Sequence, residues 1–202
     1  MIRAETQTID LCVSLQDPKA YKFASKVAKY CIKTISSLNE KVGSIIHLVS
    51  DQILDHANDY DSLVYVLTII GDFYQTVAQS IFKLYQFAPS FEHKGVFQAE
   101  YIKAKEQCQH YYKLALKTST VNLKNEEPIK IRLVNKLCTF FYSIMDNRKY
   151  ALEMARNFDD FIHTENSAEA LELRDQIKLW TIEINIEQLD NSYITVLTSD
   201  EE

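Results

Sequence analysis

Glycine and proline are scarce in this sequence, with three of each in 202 residues, and there is a single tryptophan. So little turn-forming material leaves few of the tight reversals that a fold of many short strands requires, while Leu, Lys, Glu, Gln and Ala are plentiful. Both features favour long helices. No run approaches the ~20 apolar residues of a membrane span, and the N-terminus has no signal-peptide core, so a cytoplasmic or nuclear protein without a membrane partner is expected. The four cysteines (Cys12, Cys31, Cys108 and Cys138) show no CxxC spacing, which argues against a zinc or redox motif and for buried free thiols. Cys108 and His110 form the closest Cys–His pair, but two helical residues two apart point in different directions, so neither a metal nor another cofactor is expected. A formal net charge of -6 argues against a broad nucleic-acid surface. Gly-rich phosphate loops, HExxH and GxSxG are all missing, and adjacent acids such as Asp159-Asp160 are expected on a solvated face. The reading is of a non-enzyme.

What is present is helical periodicity. From about Pro18 to about Ile53, Ala24, Ala28, Cys31, Ile35, Leu38, Val42, Ile45 and Val49 alternate by fours and threes, predicting one long helix with a coiled-coil-like seam. Asn58, Asp59, Asp61 and Ser62 form a turn whose last members are expected to cap a second helix striped by Leu63, Val66, Ile70, Phe73, Val77, Ile81 and Leu84. Ser90 to Gly95 reads as a loop, followed by a third helix through Phe97, Tyr101, Ala104, Cys108, Tyr111, Tyr112 and Ala115. Pro128 suits the first turn of a fourth helix reaching about Met145, with Glu126 and Glu127 favourable at its N-terminus. After a turn at Asp146-Asn147-Arg148, a fifth helix carries Ala151, Ala155, Phe158 and Ile162. Asn166 and Glu169 resemble a capping box before a sixth helix with Leu173, Ile177, Trp180 and Ile184 on one face. Short connections make successive helices antiparallel, giving an all-α stacked array.

Five segments carry a family resemblance. Leu173-Arg174-Asp175-Gln176-Ile177-Lys178-Leu179-Trp180-Thr181 resembles the LRDNLxLWT signature of 14-3-3 proteins, and Gly71-Asp72-Phe73-Tyr74 resembles their GDYYRY. Pro128-Ile129-Lys130 with Phe140-Phe141-Tyr142-Ser143-Ile144 is similar to HPIRLGLALNFSVFYYEI. Tyr112 with Ala115 resembles AYxxA, and Asn157 to Ile162 resembles AFDEAI. The motifs fall in family order on successive helices and cover about Pro18 to Thr181. The resemblance implies an antiparallel array like the C-terminal two-thirds of a 14-3-3 protein: an irregular remnant over 1–17, a helical domain over 18–187 and a tail over 188–202.

Two registers are open at the N-terminal end. One aligns Ala20-Tyr21-Lys22, Lys29 and Lys33 with basic groove residues of the family's third helix, but it deletes about 25 residues ahead of Gly71 and leaves ends roughly 25 Å apart. The other runs without gaps from Gly71 back through Tyr30, places the long seam on the family's fourth helix and leaves the earlier helices absent. It is preferred because it keeps the seam unbroken.

The family is one of non-catalytic adaptors that hold phosphoserine or phosphothreonine peptides in an amphipathic groove. Residue by residue, the resemblance implies that the Arg-Tyr pair after GDYY is replaced by Gln75 and Thr76, and the Lys before it by Thr68. The Asn and Glu of the fourth helix fall at Lys136 and Ser143, and the Asn of LRDNL at Gln176, while Leu179 and Trp180 keep the apolar wall. Gln and Thr do not reproduce a bidentate Arg–phosphate contact, so peptide partners with weakened or lost phosphate dependence are expected. Lys22, Lys29 and Lys33 are the alternative basic wall, although with Lys26 their spacing is that of a solvated helix face. Trp180 is read as core. The alternative is a structural or dimerising protein with a vestigial groove. Without the family's N-terminal helix, a monomer or an atypical dimer through the Ala24–Val49 seam is expected. The run Tyr193-Ile194-Thr195-Val196-Leu197 is apolar and β-branched, and is expected to dock in cis or on a neighbouring subunit, an extended ligand of the groove being one form this takes.

Overall fold

In the computed structural model, residues 18–87, 91–162 and 167–199 are described. Side chains are described from Lys26 to Gln188, apart from several near 27–32 and 84–93. Six α-helices and no strand occur among the described residues: α1 (Pro18–Leu48), α2 (Tyr60–Phe87), α3 (Phe91–Asn122), α4 (Pro128–Ser143), α5 (Arg148–Asp159) and α6 (Ala168–Ser199). A π turn (Val49–Ile53) and a 3-10 turn (Leu54–His56) continue directly from α1. The all-α reading holds, and α1 is the uninterrupted helix that the gap-free register needs. The chain divides into two compact units, residues 1–56 with 70–108 and residues 57–69 with 109–202.

In the first unit the α1 seam is half realised among its described side chains, which do not include Ala24, Ala28 and Cys31. Ile35, Val42 and Val49 are buried, whereas Leu38 and Ile45 are 47% and 42% exposed and Ile46 is buried instead. A straight helix drifts away from a strict seven-residue repeat, so a seam without a supercoiled partner loses alternate positions to the surface. The Cys108 thiol donates to the Gly71 carbonyl at 3.3 Å, and Phe82 lies 5.6 Å from Tyr101. As one residue number rises the other falls, which makes α2 and α3 antiparallel. Helix α3 begins at Phe91, so the loop predicted at Ser90–Gly95 is helical from Phe91 on. One glycine costs about 1 kcal/mol in a helix, and Gly95 has open space around its Cβ position, so its neighbours carry the helix through.

The second unit is built around α4. Phe140, Leu133, Leu137 and Ile131 are fully enclosed, and Tyr112 of α3 meets Phe140 edge-on at 5.8 Å. Pro128 occupies the first turn after an extended Glu127, the helix ends at Ser143 with Ile144 as its C-cap, and Asp146, with a φ of 52°, reverses the chain before α5. Aspartate tolerates that left-handed conformation better than most residues. Long-range side-chain bonds give the helix directions. Arg148 pairs with Glu187, Arg156 with Thr181 at 2.8 Å and Arg174 with Asp159 at 2.8 Å, so α5 and α6 are antiparallel. Arg132 pairs with Glu169 at 2.9 Å, and Tyr142 with Glu183, so α4 and α6 run the same way.

The helix caps refine the predicted boundaries. Asp59, rather than Asp61 or Ser62, caps α2: its carboxylate accepts the Ser62 N–H at 2.7 Å and the Ser62 hydroxyl at 3.0 Å. These bonds hold the Asp59 carboxyl below its usual range. Ser167 caps α6, its Oγ accepting the Ala170 N–H at 3.1 Å, while Asn166 lies outside the described residues. Helix α6 continues to Ser199, so the backbone of Tyr193–Leu197 is helical and not the extended ligand expected from its β-branched composition. β-Branched residues lower helix propensity only slightly, and the turn of helix before them propagates at little cost.

Candidate functional site

Helices α4 and α6 place an aromatic and charged cluster on their shared face. Trp180, 3% exposed, belongs to the buried edge of α6 with Leu173, Ala170 and Ile184. It stacks on Tyr142 of α4 with ring centres 4.4 Å apart and planes 9° from parallel. The Tyr142 hydroxyl donates to the Glu183 carboxylate. Above the same ring lies the Arg148 guanidinium, 5.4 Å from the centroid, which also pairs with Glu187. Burial first, then the bond to Glu183 and its negative charge, push the Tyr142 phenol up to about 12. It therefore stays protonated at neutral pH and acts as a donor and a platform, not as a base or nucleophile.

The implied groove residues have differing fates. Thr68 is 6% exposed, and its hydroxyl donates back to the Val64 carbonyl at 2.7 Å. Gln75 is half-buried, while Thr76 is exposed and donates to the Asp72 carbonyl at 3.0 Å. Lys136 is exposed, and so is Ser143, whose Oγ donates to the Thr139 carbonyl at 2.7 Å. Gln176 is half-buried and Leu179 is 50% exposed. Trp180 is core, as its spacing from Leu173 and Ile177 indicates. Within the second unit, Lys136 and Ser143 sit on α4, and Gln176, Leu179 and Trp180 on α6. Thr68, Gln75 and Thr76 all lie on α2. On α1, Lys26, Lys29 and Lys33 are exposed, as expected of a solvated face, and the Lys22 side chain lies outside the described residues.

Several features escaped the sequence reading. Asp159 is not simply solvated, because it holds Arg174 in an ion pair whose side chains are each 27% exposed; only Asp160 is exposed. Lys130 is 4% exposed, with Nζ donating to the Leu123 carbonyl at 3.1 Å, and burial lowers its pKa against the opposing charge of Glu126. An apolar cavity of about 340 Å³ is lined by Tyr150, Met154, Phe158 and Phe161 of α5 and its C-terminal turn, with Leu116, Val134 and Leu137. The i, i+4 spacing of Tyr150, Met154 and Phe158 was the signal available for it. Cys108 and Cys138, by contrast, are the buried free thiols that their spacing led us to expect. Burial pushes both upward, Cys138 to about 12, which keeps them inert; Cys12 and Cys31 fall outside the described side chains. No group of three His, Cys, Asp or Glu side chains is placed to hold a metal ion among the described residues, and no helix there is long and apolar enough to cross a membrane.

The described residues form an all-α array in which Tyr142 of α4 stacks on Trp180 of α6. No protein-family model matches the chain. It is 26% identical over 172 residues to the 14-3-3 protein of Eimeria tenella, covering 80% of this chain and 57% of that one. The 14-3-3 protein homolog of Neospora caninum is 26% identical over 174 residues, with 80% and 59% covered. For 14-3-3 protein I of Plasmodium falciparum the figures are 24% over 176 residues, with 81% and 61% covered. The chain is thus a divergent relative of 14-3-3 proteins, at 22–26% identity. It spans about three-fifths of the length of the curated relatives it matches.

Proposed function

We propose that the chain is an adaptor that binds extended peptide segments of partner proteins along the α4–α6 face, with phosphoserine or phosphothreonine dependence weakened or lost. The observation that carries this reading is the chemistry of α2. Where the family resemblance puts an Arg–Tyr pair and a Lys, this helix has Gln75, Thr76 and Thr68, none of them cationic. The hydroxyls of Thr68 and Thr76 donate within their own helix. A phosphate dianion gains most of its binding energy from charge-assisted, bidentate hydrogen bonds, and neutral side chains do not supply them. The apolar half of the resemblance is supported by Leu179, which is exposed beside the buried Trp180. Lys136 is an exposed cation on α4.

Calorimetry with one peptide in plain and phosphorylated forms tests this. Phosphorylation is expected to raise affinity by less than about tenfold, or about 1.4 kcal/mol. Gln75→Arg combined with Thr76→Tyr is expected to restore part of the phosphate preference. A preference of about a hundredfold in the unaltered chain would refute the reading and direct attention to Lys22, Lys29 and Lys33 as the anion-binding wall.

A further inference from the structure

Two parallel stripes of side chains border the apolar cavity of about 340 Å³ on α5. Tyr150, Met154 and Phe158 form one, and Glu153, Asn157 and Phe161 the other, each spaced by four residues, so that successive members lie about one helical turn apart. Val134 and Leu137 of α4, each 2% exposed, belong to the same lining and tie its aliphatic part to the core. Tyr150 and Phe161 are 45% and 58% exposed and Met154 and Phe158 half-buried, so solvent reaches the aromatic part. A hollow of this volume, mostly apolar and with a few polar groups, has the make-up of a small-molecule site.

Charge selects the ligand. Among the described residues, Glu153 is the one charged group in the lining, and no Lys, Arg or His shares the cavity with it. Glu153 is exposed and has no hydrogen-bond or ion-pair partner there. Arg156, the nearest cation along α5, is held by Thr181 of α6 at 2.8 Å. Three aromatic rings line the same space, and ring faces attract an ammonium group whose apolar substituents pack against them. An anion would meet the carboxylate and the ring faces with the same sign, and a neutral apolar molecule would cover Glu153 without pairing it. We propose that this cavity binds a small organic monocation, an arylalkylammonium, with its apolar body among Tyr150, Met154, Phe158 and Phe161 and its charged nitrogen beside Glu153. None of these residues belongs to the α4–α6 face, so the site stands independently of peptide binding there.

Met154 is a reporter inside the site, and the other two methionines, Met1 and Met145, lie outside its lining. The full chain labelled with methyl-13C methionine is titrated with benzyltrimethylammonium, which carries both the apolar body and the charge. Benzyl alcohol carries the body alone and tetramethylammonium the charge alone. Benzyltrimethylammonium is expected to shift the Met154 methyl resonance saturably, with Kd on the order of 1 mM, while the Met1 and Met145 resonances stay in place. The two single-feature probes are expected to bind at least about tenfold more weakly. Glu153→Gln and Phe161→Leu change exposed positions, are expected to leave the melting curve unaltered, and each is expected to weaken binding of the cation about threefold without affecting benzyl alcohol. A Met154 resonance that does not respond up to about 20 mM, a single-feature probe that binds as tightly as benzyltrimethylammonium, or a Glu153→Gln chain that binds the cation as tightly as the parent would overturn the proposal.

Discussion

Helices α4 and α6 are both rich in apolar residues, yet they are used in opposite ways. Helix α4 is enclosed over most of its circumference, with Ile131, Leu133, Val134, Leu137 and Phe140 at 2% exposure or less. Helix α6 buries one edge and presents Leu179, Ile182 and Ile186 to solvent on the other. The difference lies in the neighbours. Tyr112 of α3 packs edge-on against Phe140 of α4, and α5 and α6 also pack on α4, whereas among the described residues of its unit α6 packs on α4 and α5. Equal hydrophobicity therefore stabilises α4 as core and leaves Leu179, Ile182 and Ile186 of α6 at the surface.

The sharpest test of that contrast compares Phe140→Ala with Ile186→Ala. Removing the enclosed Phe140 ring is expected to destabilise the protein by about 3–5 kcal/mol, whereas the exposed Ile186 is expected to change stability by less than about 0.5 kcal/mol. Urea unfolding measures both. A large loss for Ile186→Ala would mean that the second face of α6 is already packed.

Where the two helices meet, Tyr142 provides a titration. Its phenol lies at about 12, above the ordinary 10, because of burial and the Glu183 carboxylate. With the folded value raised, the contribution of this group to stability is fully present below pH 10 and is lost as pH rises through 12. Difference absorbance against Tyr142→Phe is expected to show one phenolate forming near 12, and Glu183→Gln to move it part of the way back, since burial is the larger cause. Formation of that phenolate near 10 would show that the stack with Trp180 is open to water.

The smallest effects belong to the surface of α6. Ser167→Ala removes the cap at its N-terminus and is expected to cost about 1 kcal/mol. Lys178→Ala breaks only the exposed pair with Asp175 and is expected to change stability by less than about 0.5 kcal/mol. Chemical unfolding of both variants checks the order, and equal losses would show that α6 is held by its surface pairs as much as by its cap and buried edge.

Much of this fold was legible because helix periodicity is local. The stripes of α2 and of α6 through Ile184, the proline at the start of α4 and the turn at Asp146 follow from spacing and backbone chemistry alone. Boundaries were less legible where two signals competed. Gly95 suggested a loop, but a single glycine does not stop a helix whose other residues favour it; Asp59 caps α2 in place of its neighbours because its carboxylate meets both the Ser62 N–H and hydroxyl. Of the candidate site, Trp180 was placed in the core by its spacing alone. The partners of Tyr142 were not readable, because Glu183 and Arg148 lie on other helices, 41 and six residues after it.

The sequence by itself determined an all-α chain and the family resemblance, since scarcity of glycine and proline and the 3,4 spacing of apolar residues are properties of the chain that need no partner. Only the tertiary structure decided which apolar faces are covered. It made alternate members of the α1 seam surface residues, enclosed Lys130 beside the Leu123 carbonyl and set Tyr142 between Trp180 and Arg148. Periodicity states that a face is apolar, but burial is a relation between two faces, and the second one comes from elsewhere in the fold.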